Sequence, residues 1–314
     1  MNAIADTPAT DNAQAFMLPP TGAIEVSGRD ARAFLQGQLT NDIRKVGPQT
    51  SQLSAWCNPQ GRVITSLRVV EIDDSFLLLL PADQAQHVAE RLRKFVIRAK
   101  VRIDAPAGGL PGIGLCGKTA MALLAQDGWR PPALNNAASA GDVGLLIRVD
   151  ATAERFELYT RSGSFHELAA HMRVNVADDG STAWRAWNIE AGLPVVYTAN
   201  RERFLPQMLN LDCVDAISFA KGCYAGQEIV ARTQNLGRIK RRMRRFRIEV
   251  SSVPGDAVFA GGSPAGHVVE MASRNSEMEI LAVVPTSIDD DAFAIEEDGA
   301  PDLHELTLPY STSR

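Results

Sequence analysis

The apolar residues of this chain occur in short runs that end at turn residues, and this pattern constrains the fold more than any other feature. Residues 76–80, for example, form an apolar run that stops at Pro81. No run approaches the ~20 residues that a helix needs to cross a bilayer. Because runs of this length are typical of β-strands, the sequence predicts a sheet-rich protein without a membrane-spanning helix.

The first third of the chain predicts an antiparallel sheet with helices on one face. In chain order, the periodicity indicates a helix from Ala31, strands at residues 53–56, 63–70 and 76–80, a helix from Ala85 to Val96, and a strand at residues 99–103. Asn58 and Gly61 bound the turn between the first two strands, since glycine tolerates a positive φ. Residues 104–112, which are rich in proline and glycine, form the first candidate linker.

A similar order of elements follows this linker. The pattern indicates a helix at residues 119–125, strands at 145–149 and 156–159, a helix from Ser162 to about Arg173, a short strand at 174–176 and a helix at 184–191. After Gly237, short apolar stretches alternate with turn residues, which predicts a small all-β domain.

These patterns predict an α+β protein with three folded domains. Residues 1–16, rich in Ala, Thr, Asn, Asp and Pro, are expected to form a disordered tail. The two α/β units are expected at residues 17–108 and 109–237, and the β-domain at residues 238–314. A chain of 314 residues is long enough to build several separate cores.

Composition and charge exclude several classes of protein. A net charge of −5 argues against a protein that binds nucleic acid over its whole surface. The four cysteines form no CxxC pair, so neither a disulfide framework nor a zinc ribbon is expected. No basic residue precedes Arg29, so the N-terminus does not resemble a signal peptide. We therefore expect a cytoplasmic monomer without a metal site.

One segment, Lys221-Gly-Cys-Tyr-Ala-Gly-Gln-Glu228, is dense in chemically capable groups. In an extended run, Lys221 and Cys223 would point to the same face, and the nearby cation would favour the thiolate form of Cys223. Gln227 and Glu228 would then begin a helix. The alternative is a glycine-rich turn into that helix, with Cys223 packed as a small apolar residue. The residues alone leave both alternatives open.

This octapeptide and the IVART sequence after it resemble the signature of the YgfZ family of folate-binding proteins. The family shares its fold with the T-protein, the aminomethyltransferase of the glycine cleavage system. Three further stretches are similar to family segments and occur in the same order, namely residues 34–42, 189–194 and 206–211. The resemblance covers roughly residues 20–285.

The resemblance implies a three-domain fold around a central channel, with two antiparallel α/β units, a C-terminal β-barrel-like domain, and tetrahydrofolate or its formyl or methylene derivative in the channel. Glu190 would contact the pterin ring, since a carboxylate accepts two hydrogen bonds from an amino-pyrimidine edge. The other residues that we assign to the folate site by resemblance are Tyr224, Gln227, Glu228 and Arg232. Cys223 and Lys221 would carry any chemistry.

The resemblance also implies a function. It points to a tetrahydrofolate-dependent role in the biogenesis or repair of iron–sulfur enzymes, including those that modify tRNA. The expected partners are iron–sulfur client or assembly proteins, and direct contact with nucleic acid or with a membrane is not expected. An RNA-binding accessory protein is a third alternative, which the acidic net charge disfavours.

One departure from the related aminomethyltransferases bears on activity. Those enzymes carry an aspartate pair after the turn that corresponds to residues 58–61, whereas this chain has Thr65 and Ser66 there. A hydroxyl group cannot replace an ionised carboxylate at neutral pH. We therefore do not expect an active aminomethyltransferase. A folate-dependent one-carbon transferase or demethylase is the alternative function.

A strongly basic segment permits two further interpretations. Seven of the ten residues from Arg238 to Arg247 are Lys or Arg. Such a run is able to bind phosphate in RNA, or the acidic tail of a polyglutamylated folate. The alternative is a solvated strand whose Ile239 and Met243 face inward.

Overall fold

The computed structural model describes most of the chain. The described residues are 14–126, 128–132, 136, 138–140, 144–150, 154–160, 165–171, 176–177, 181–235, 238–274, 277–288 and 292–312. Three β-sheets organise this part of the molecule. Helices pack on the outer faces of two of the sheets, where they enclose separate apolar clusters.

The first region has the order of elements that the sequence predicts. Its elements are β1 (Gln14–Met17), β2 (Thr21–Ser27), α1 (Ala31–Gln36), β3 (Ser51–Cys57), β4 (Val63–Ile72), β5 (Ser75–Pro81), α2 (Ala82–Arg93) and β6 (Arg102–Asp104). The strands other than β1 form a five-stranded antiparallel sheet in the order β3-β4-β5-β2-β6. Val88, Ala89 and Leu92 of α2 pack into the core on one face of this sheet, because they recur at helical spacing.

The second region builds another sheet. Its elements are β7 (Gly112–Cys116), α3 (Ala120–Gln126), β8 (Ala138–Ala140), β9 (Gly144–Asp150), β10 (Arg155–Thr160), α4 (Phe165–His171), β11 (Val176–Ala177), α5 (Thr182–Glu190) and α6 (Gln227–Asn235). Six strands pair in the order β11-β1-β7-β10-β9-β8. The sequence predicts a helix from Ser162 to about Arg173 and a strand that starts at residue 174. Both ends of that helix and the start of that strand lie outside the described residues.

The first strand corrects the predicted N-terminal tail. Residues 1–16 were expected to be disordered, but Gln14–Met17 forms β1, which pairs antiparallel with β7 and parallel with β11. The polar composition of the segment concealed Ala15 and Phe16, which are both buried in this sheet. Residues 1–13 lie outside the described residues, and the remaining domain boundaries stay predictions.

The last region is a curled, six-stranded half-barrel. Its strands are β12 (Arg241–Ile248), β13 (Ala257–Ala260), β14 (Ser263–Arg274), β15 (Glu277–Pro285), β16 (Phe293–Ala294) and β17 (His304–Leu306). They pair in the order β16-β13-β14-β15-β12-β17. The α+β fold class with a C-terminal β-domain is therefore confirmed. None of the helices in the described ranges is long and apolar enough to cross a membrane.

The first two sheets pack face to face, and this packing positions the site. Leu67 and Val69 of β4 face the helices of the first region, whereas Val70 and Ile72 face the second sheet. A strand buried on both faces is largely apolar, and six of the ten residues of β4 are apolar. The contact between the sheets is not complete, because a cavity opens beside this shared cluster.

Candidate functional site

A cavity lies where the three regions of the molecule meet. Its empty space, counted together with the open solvent at its mouth, is about 970 Å³. The described walls come from the segment before β2, from β4, β10 and α5, from residues 193–197, and from β14. Most of the lining is apolar, so each polar side chain on the wall is a candidate for ligand recognition.

Glu157 is one of the polar wall residues. It lies on β10, between Phe156 and Leu158, which are fully buried on the opposite face of the strand. The Tyr159 hydroxyl donates to Glu157 Oε2 at 3.2 Å, and Trp184 Nε1 donates to Glu157 Oε1 at 3.3 Å. These two donors hold the Glu157 carboxylate in place. Each of its oxygens still has a lone pair that is able to accept a further hydrogen bond. Glu157 is therefore placed to accept hydrogen bonds from a ligand.

A second carboxylate closes another part of the wall. Glu270 of β14 is 1% exposed and accepts hydrogen bonds from Tyr197 Oη at 2.7 Å and from Arg185 Nε at 3.1 Å. Burial raises the pKa of Glu270, and the Arg185 charge opposes that rise. Burial likewise raises the pKa of Tyr197. This network is satisfied within the protein, so it shapes the wall rather than offering a charge to a ligand.

Four residues of the cavity wall were not predicted from the sequence, namely Glu157, Arg185, Tyr197 and Glu270. The available signal was an acidic residue within an apolar strand, as for Glu157 and Glu270, since carboxylates are seldom buried without a partner. Arg185 and Tyr197 gave no such signal, because their partner lies more than seventy residues away on another sheet.

Lys221 of the octapeptide is buried and serves as an internal anchor. Its ammonium donates to the carbonyl oxygens of Leu39 at 2.6 Å and Asn41 at 2.8 Å. It also lies 5.0 Å from the centre of the Tyr224 ring, which is itself buried. Burial lowers the pKa of Lys221 to about 8, and the charge of Asp42 partly opposes this shift. Lys221 therefore ties the octapeptide to the segment between α1 and β3.

Cys223 lies in the opposite environment. Its thiol is exposed, and a side chain at the neighbouring Gly222 would contact nothing within 4 Å. The octapeptide up to Gly226 is an irregular loop, so the expectation that Lys221 and Cys223 share one face of an extended run is wrong. The alternative of a buried Cys223 is also wrong. The loop thus presents an accessible thiol from a firmly anchored base.

Gly226, the sixth residue of the octapeptide, occupies a position where only glycine fits. Its φ is +80°, and a Cβ there would lie 2.4 Å from the carbonyl oxygen of Asn58. The chain therefore turns tightly against the loop between β3 and β4 before α6 begins at Gln227, as predicted. Only glycine combines this conformation with so close an approach of two backbones.

The remaining residues of the predicted folate site lie apart from the cavity. Gln227 is half-buried in the first turn of α6, while Glu228 and Arg232 are exposed one helical turn apart. Glu190 is the half-buried last residue of α5. None of these four belongs to the described wall, and neither does Tyr224. The structure therefore separates an internal cavity from the octapeptide, and the roles assigned by resemblance stay predictions.

A chain of hydrogen bonds links the octapeptide to the cavity. Lys221 donates to the backbone carbonyl of Asn41, and the backbone N–H of Asn41 donates to Ser54 Oγ at 3.1 Å. Ser54 lies on the cavity wall. Two residues, Asn41 and Ser54, therefore connect the anchor of the octapeptide to the cavity wall.

The basic run from Arg238 to Arg247 is not a simple solvated strand, because part of it is buried and paired with acidic residues. Arg242 is buried and forms a bidentate pair with Asp212 at 2.7 and 3.0 Å. Arg245 pairs with Glu279 at 2.7 Å. Met243 faces inward as expected and is fully buried. Much of the positive charge is therefore neutralised within the C-terminal half-barrel.

A metal centre is not visible in the described ranges. No group of three His, Cys, Asp or Glu side chains there is arranged to hold a metal ion. Cys57 and Cys116 are buried, and burial raises the pKa of Cys116 to about 11.

Comparison with known proteins places the chain in a family. Residues 10–132 match the family described as the GCVT N-terminal domain. The tRNA-modifying protein YgfZ of Escherichia coli K12 is 30% identical over 303 residues, which cover 91% of this chain and 90% of that protein. YgfZ of Shigella flexneri is similar to the same extent.

The fold has a solved counterpart as well. The glycine cleavage system aminomethyltransferase T from Bartonella henselae superposes with a TM-score of 0.71 over 90% of this chain and 81% of that chain. The two sequences are 18% identical, so this likeness concerns the fold alone. The identity to YgfZ extends over nearly the whole length of both proteins, and the chain belongs to the YgfZ family.

Proposed function

We propose that this protein binds tetrahydrofolate, or its formyl or methylene derivative, in the central cavity, and that it supports the biogenesis or repair of iron–sulfur enzymes. The observation that carries the folate proposal is the Glu157 carboxylate on the wall of an otherwise largely apolar cavity. The amino group and the ring N–H of a pterin form a pair of donors, and a carboxylate accepts both.

The surroundings of Glu157 fit a flat, aromatic ligand. Tyr159 and Trp184 lie on the wall beside it, and Trp184 is held by edge-to-face packing on Trp187 at 5.6 Å between ring centres. These fixed rings give the wall beside Glu157 a rigid, apolar surface for an aromatic ligand.

The iron–sulfur part of the proposal rests on the family resemblance and on Cys223. The curated relatives carry the name tRNA-modifying protein, and enzymes that modify tRNA include iron–sulfur enzymes. An exposed thiol on an anchored loop is able to react with, or transiently hold, a group on a client or assembly protein. These partners would be met in the cytoplasm, where thiols stay reduced.

The alternative, a folate-dependent one-carbon transferase or demethylase, has less support. Thr65 is buried and its hydroxyl donates to the carbonyl of Ser66 at 3.0 Å. Ser66 lies on the cavity wall, where its hydroxyl accepts a hydrogen bond from the amide of Val196 at 3.1 Å. Both side chains therefore serve structural hydrogen bonds at the place where the related transferases have acids.

The test is a calorimetric titration of the purified protein with tetrahydrofolate. Glu157→Gln removes the charge but keeps the shape, and should weaken binding by about tenfold or more, because hydrogen bonds to a charged group contribute about 1.5–3 kcal/mol each. Glu190→Gln is the matched comparison. Loss of affinity in Glu190→Gln alone would support the role assigned to Glu190 by resemblance and contradict the one given to Glu157, and no binding to the unaltered protein would refute the folate proposal.

A further inference from the structure

Arg68 is an unusual residue for its position. It lies on β4 between the cross-strand neighbours Leu53 and Leu79, on the face that meets the second sheet. It is 8% exposed and forms part of the cavity wall. A guanidinium in such a place keeps its positive charge at any physiological pH, so its surroundings must compensate that charge.

The protein supplies only part of this compensation. Arg68 Nη1 donates to Ser51 Oγ at 3.0 Å and to Asn136 Oδ1 at 2.7 Å, and both acceptors are uncharged. No carboxylate in the described part of the chain pairs with Arg68. Burying a charge without a charged partner is costly unless other groups satisfy it.

The other donors of the guanidinium point to the missing partner. Nε and Nη2 make no hydrogen bond to the described residues, yet neither belongs to the buried nitrogen atoms that are sealed from solvent. Arg68 also lines the cavity, which makes these two nitrogens the candidates for contact with a ligand there. A ligand in the cavity would therefore meet N–H donors from Arg68.

Arg68 shares the cavity wall with Glu157 and Tyr159. Burial raises the pKa of Tyr159, and the charge of Arg68 is close enough to oppose that rise. The Tyr159 hydroxyl in turn donates to Glu157. Glu157 and Arg68 thus offer an acceptor and a donor on the wall of the same cavity.

We infer that Arg68 donates a hydrogen bond to an oxygen atom on the pteridine end of the cavity ligand, and that it selects ligands which carry such an acceptor. The inference rests on the proposed binding of folate. In a 4-oxo pteridine, the ring oxygen O4 follows directly on the two donors that suit a carboxylate. The oxygen of a formyl group on N5 projects from the same edge. A carboxylate and a guanidinium on one cavity wall match this set of donors and acceptor.

Two pairs of ligands distinguish the ring oxygen O4 from the formyl oxygen on N5 as the acceptor for Arg68. Tetrahydrofolate has an oxygen at position 4 and a hydrogen on N3, whereas tetrahydroaminopterin has an amino group at position 4 and no hydrogen on N3, so only the part of the preference that Arg68→Met abolishes reports on the oxygen. The 5-formyl and 5-methyl derivatives of tetrahydrofolate differ in having or lacking the formyl oxygen. Affinities of all four compounds are measured by calorimetry for the unaltered protein and for Arg68→Met, which keeps the length of the side chain. Thermal unfolding of each variant verifies its fold.

We expect the unaltered protein to prefer the oxygen-bearing member of at least one pair by about tenfold or more, and Arg68→Met to lose that preference. Arg68→Lys, which keeps the charge and supports folding if the methionine variant does not fold, should retain part of it. Arg102→Met, at an exposed arginine, is the control and should leave the affinities for all four compounds unchanged.

Two results would overturn the inference. In one, Arg68→Met weakens all four ligands by the same factor, so that Arg68 only ties β4 to the segment at Asn136. In the other, the unaltered protein binds the members of both pairs equally. Absence of binding by all four compounds would instead refute the proposed folate function, and the inference with it.

Discussion

At the scale of single residues, the accessible thiol of Cys223 is the feature with the most direct consequence. Lys221 was expected to activate it by proximity, but Lys221 points inward and holds the carbonyls of Leu39 and Asn41. What the structure offers instead is access, since Cys223 is exposed and Gly222 leaves its surroundings open. A role of Cys223 therefore depends on presentation to a partner.

This difference in access gives a prediction about reactivity and function. Cys223 should be alkylated by iodoacetamide before the other three cysteines, because Cys57 and Cys116 are buried and Cys213 is half-buried. Cys223→Ala should fold, bind tetrahydrofolate, and fail to restore iron–sulfur enzyme activity in cells that lack the native protein. Mass spectrometry and enzyme assays in such cells measure the two effects.

Cys213→Ala is the control for this experiment, because it removes a thiol that is not presented to solvent to the same extent. It should restore activity to near the normal level. Full restoration by Cys223→Ala would show that the exposed thiol has no function and that the octapeptide is a structural turn.

At the scale of elements, the sequence predicted those helices and strands whose formation depends on neighbouring residues in the chain. The strands β4 and β5 and the helix α2 follow from apolar periodicity, and the start of α6 at Gln227 follows from the glycines before it. The pairing of distant residues was not predictable. Arg242 was read as part of a basic run, since nothing nearby in the sequence announces its buried partner Asp212.

The same reason explains why the candidate site was only partly predicted. The octapeptide is contiguous, so its density of functional groups was visible in the sequence. The cavity wall combines Arg68 of β4, Glu157 of β10 and Glu270 of β14, which come from three sheets. Their neighbourhood is a product of packing between the sheets, and no spacing in the sequence encodes it.

The anchoring of the octapeptide by Lys221 predicts a dependence of stability on pH. Burial lowers the pKa of Lys221 to about 8 from an ordinary value of 10.5. Between these two values the unfolded chain binds more protons than the folded chain, so the contribution of Lys221 to the free energy of unfolding rises with pH. Below pH 8 both states are protonated, and the contribution is constant.

Urea unfolding of the unaltered protein and of Lys221→Met at several pH values between 7 and 10 measures this effect. The free energy of unfolding of the unaltered protein should increase relative to that of the variant as the pH rises above about 8. Lys100→Met, at an exposed lysine, is the control and should show a constant difference. A constant difference for Lys221→Met as well would contradict the lowered pKa.

At the scale of the whole molecule, the cavity exists because three regions are held together around it. The Arg185–Glu270–Tyr197 network is one polar part of this connection, since it joins α5 and the segment after it to β14 of the half-barrel. It contributes to the wall of the cavity at the same time. Damage to this network should therefore weaken both the assembly of the regions and the binding of a ligand between them.

Glu270→Ala tests this connection. The substitution leaves Arg185 and Tyr197 without their shared acceptor, and removing one partner of a buried ion pair costs about 3 kcal/mol or more. We expect a loss of that order in the free energy of unfolding, measured with guanidinium chloride, together with weaker binding of tetrahydrofolate. Glu277→Ala on the neighbouring β15 is the matched control, because its pair with Arg247 is 3.8 Å long and largely exposed, and such pairs contribute about 1 kcal/mol at most. Equal stability losses in the two variants would show that the network does not hold the regions together.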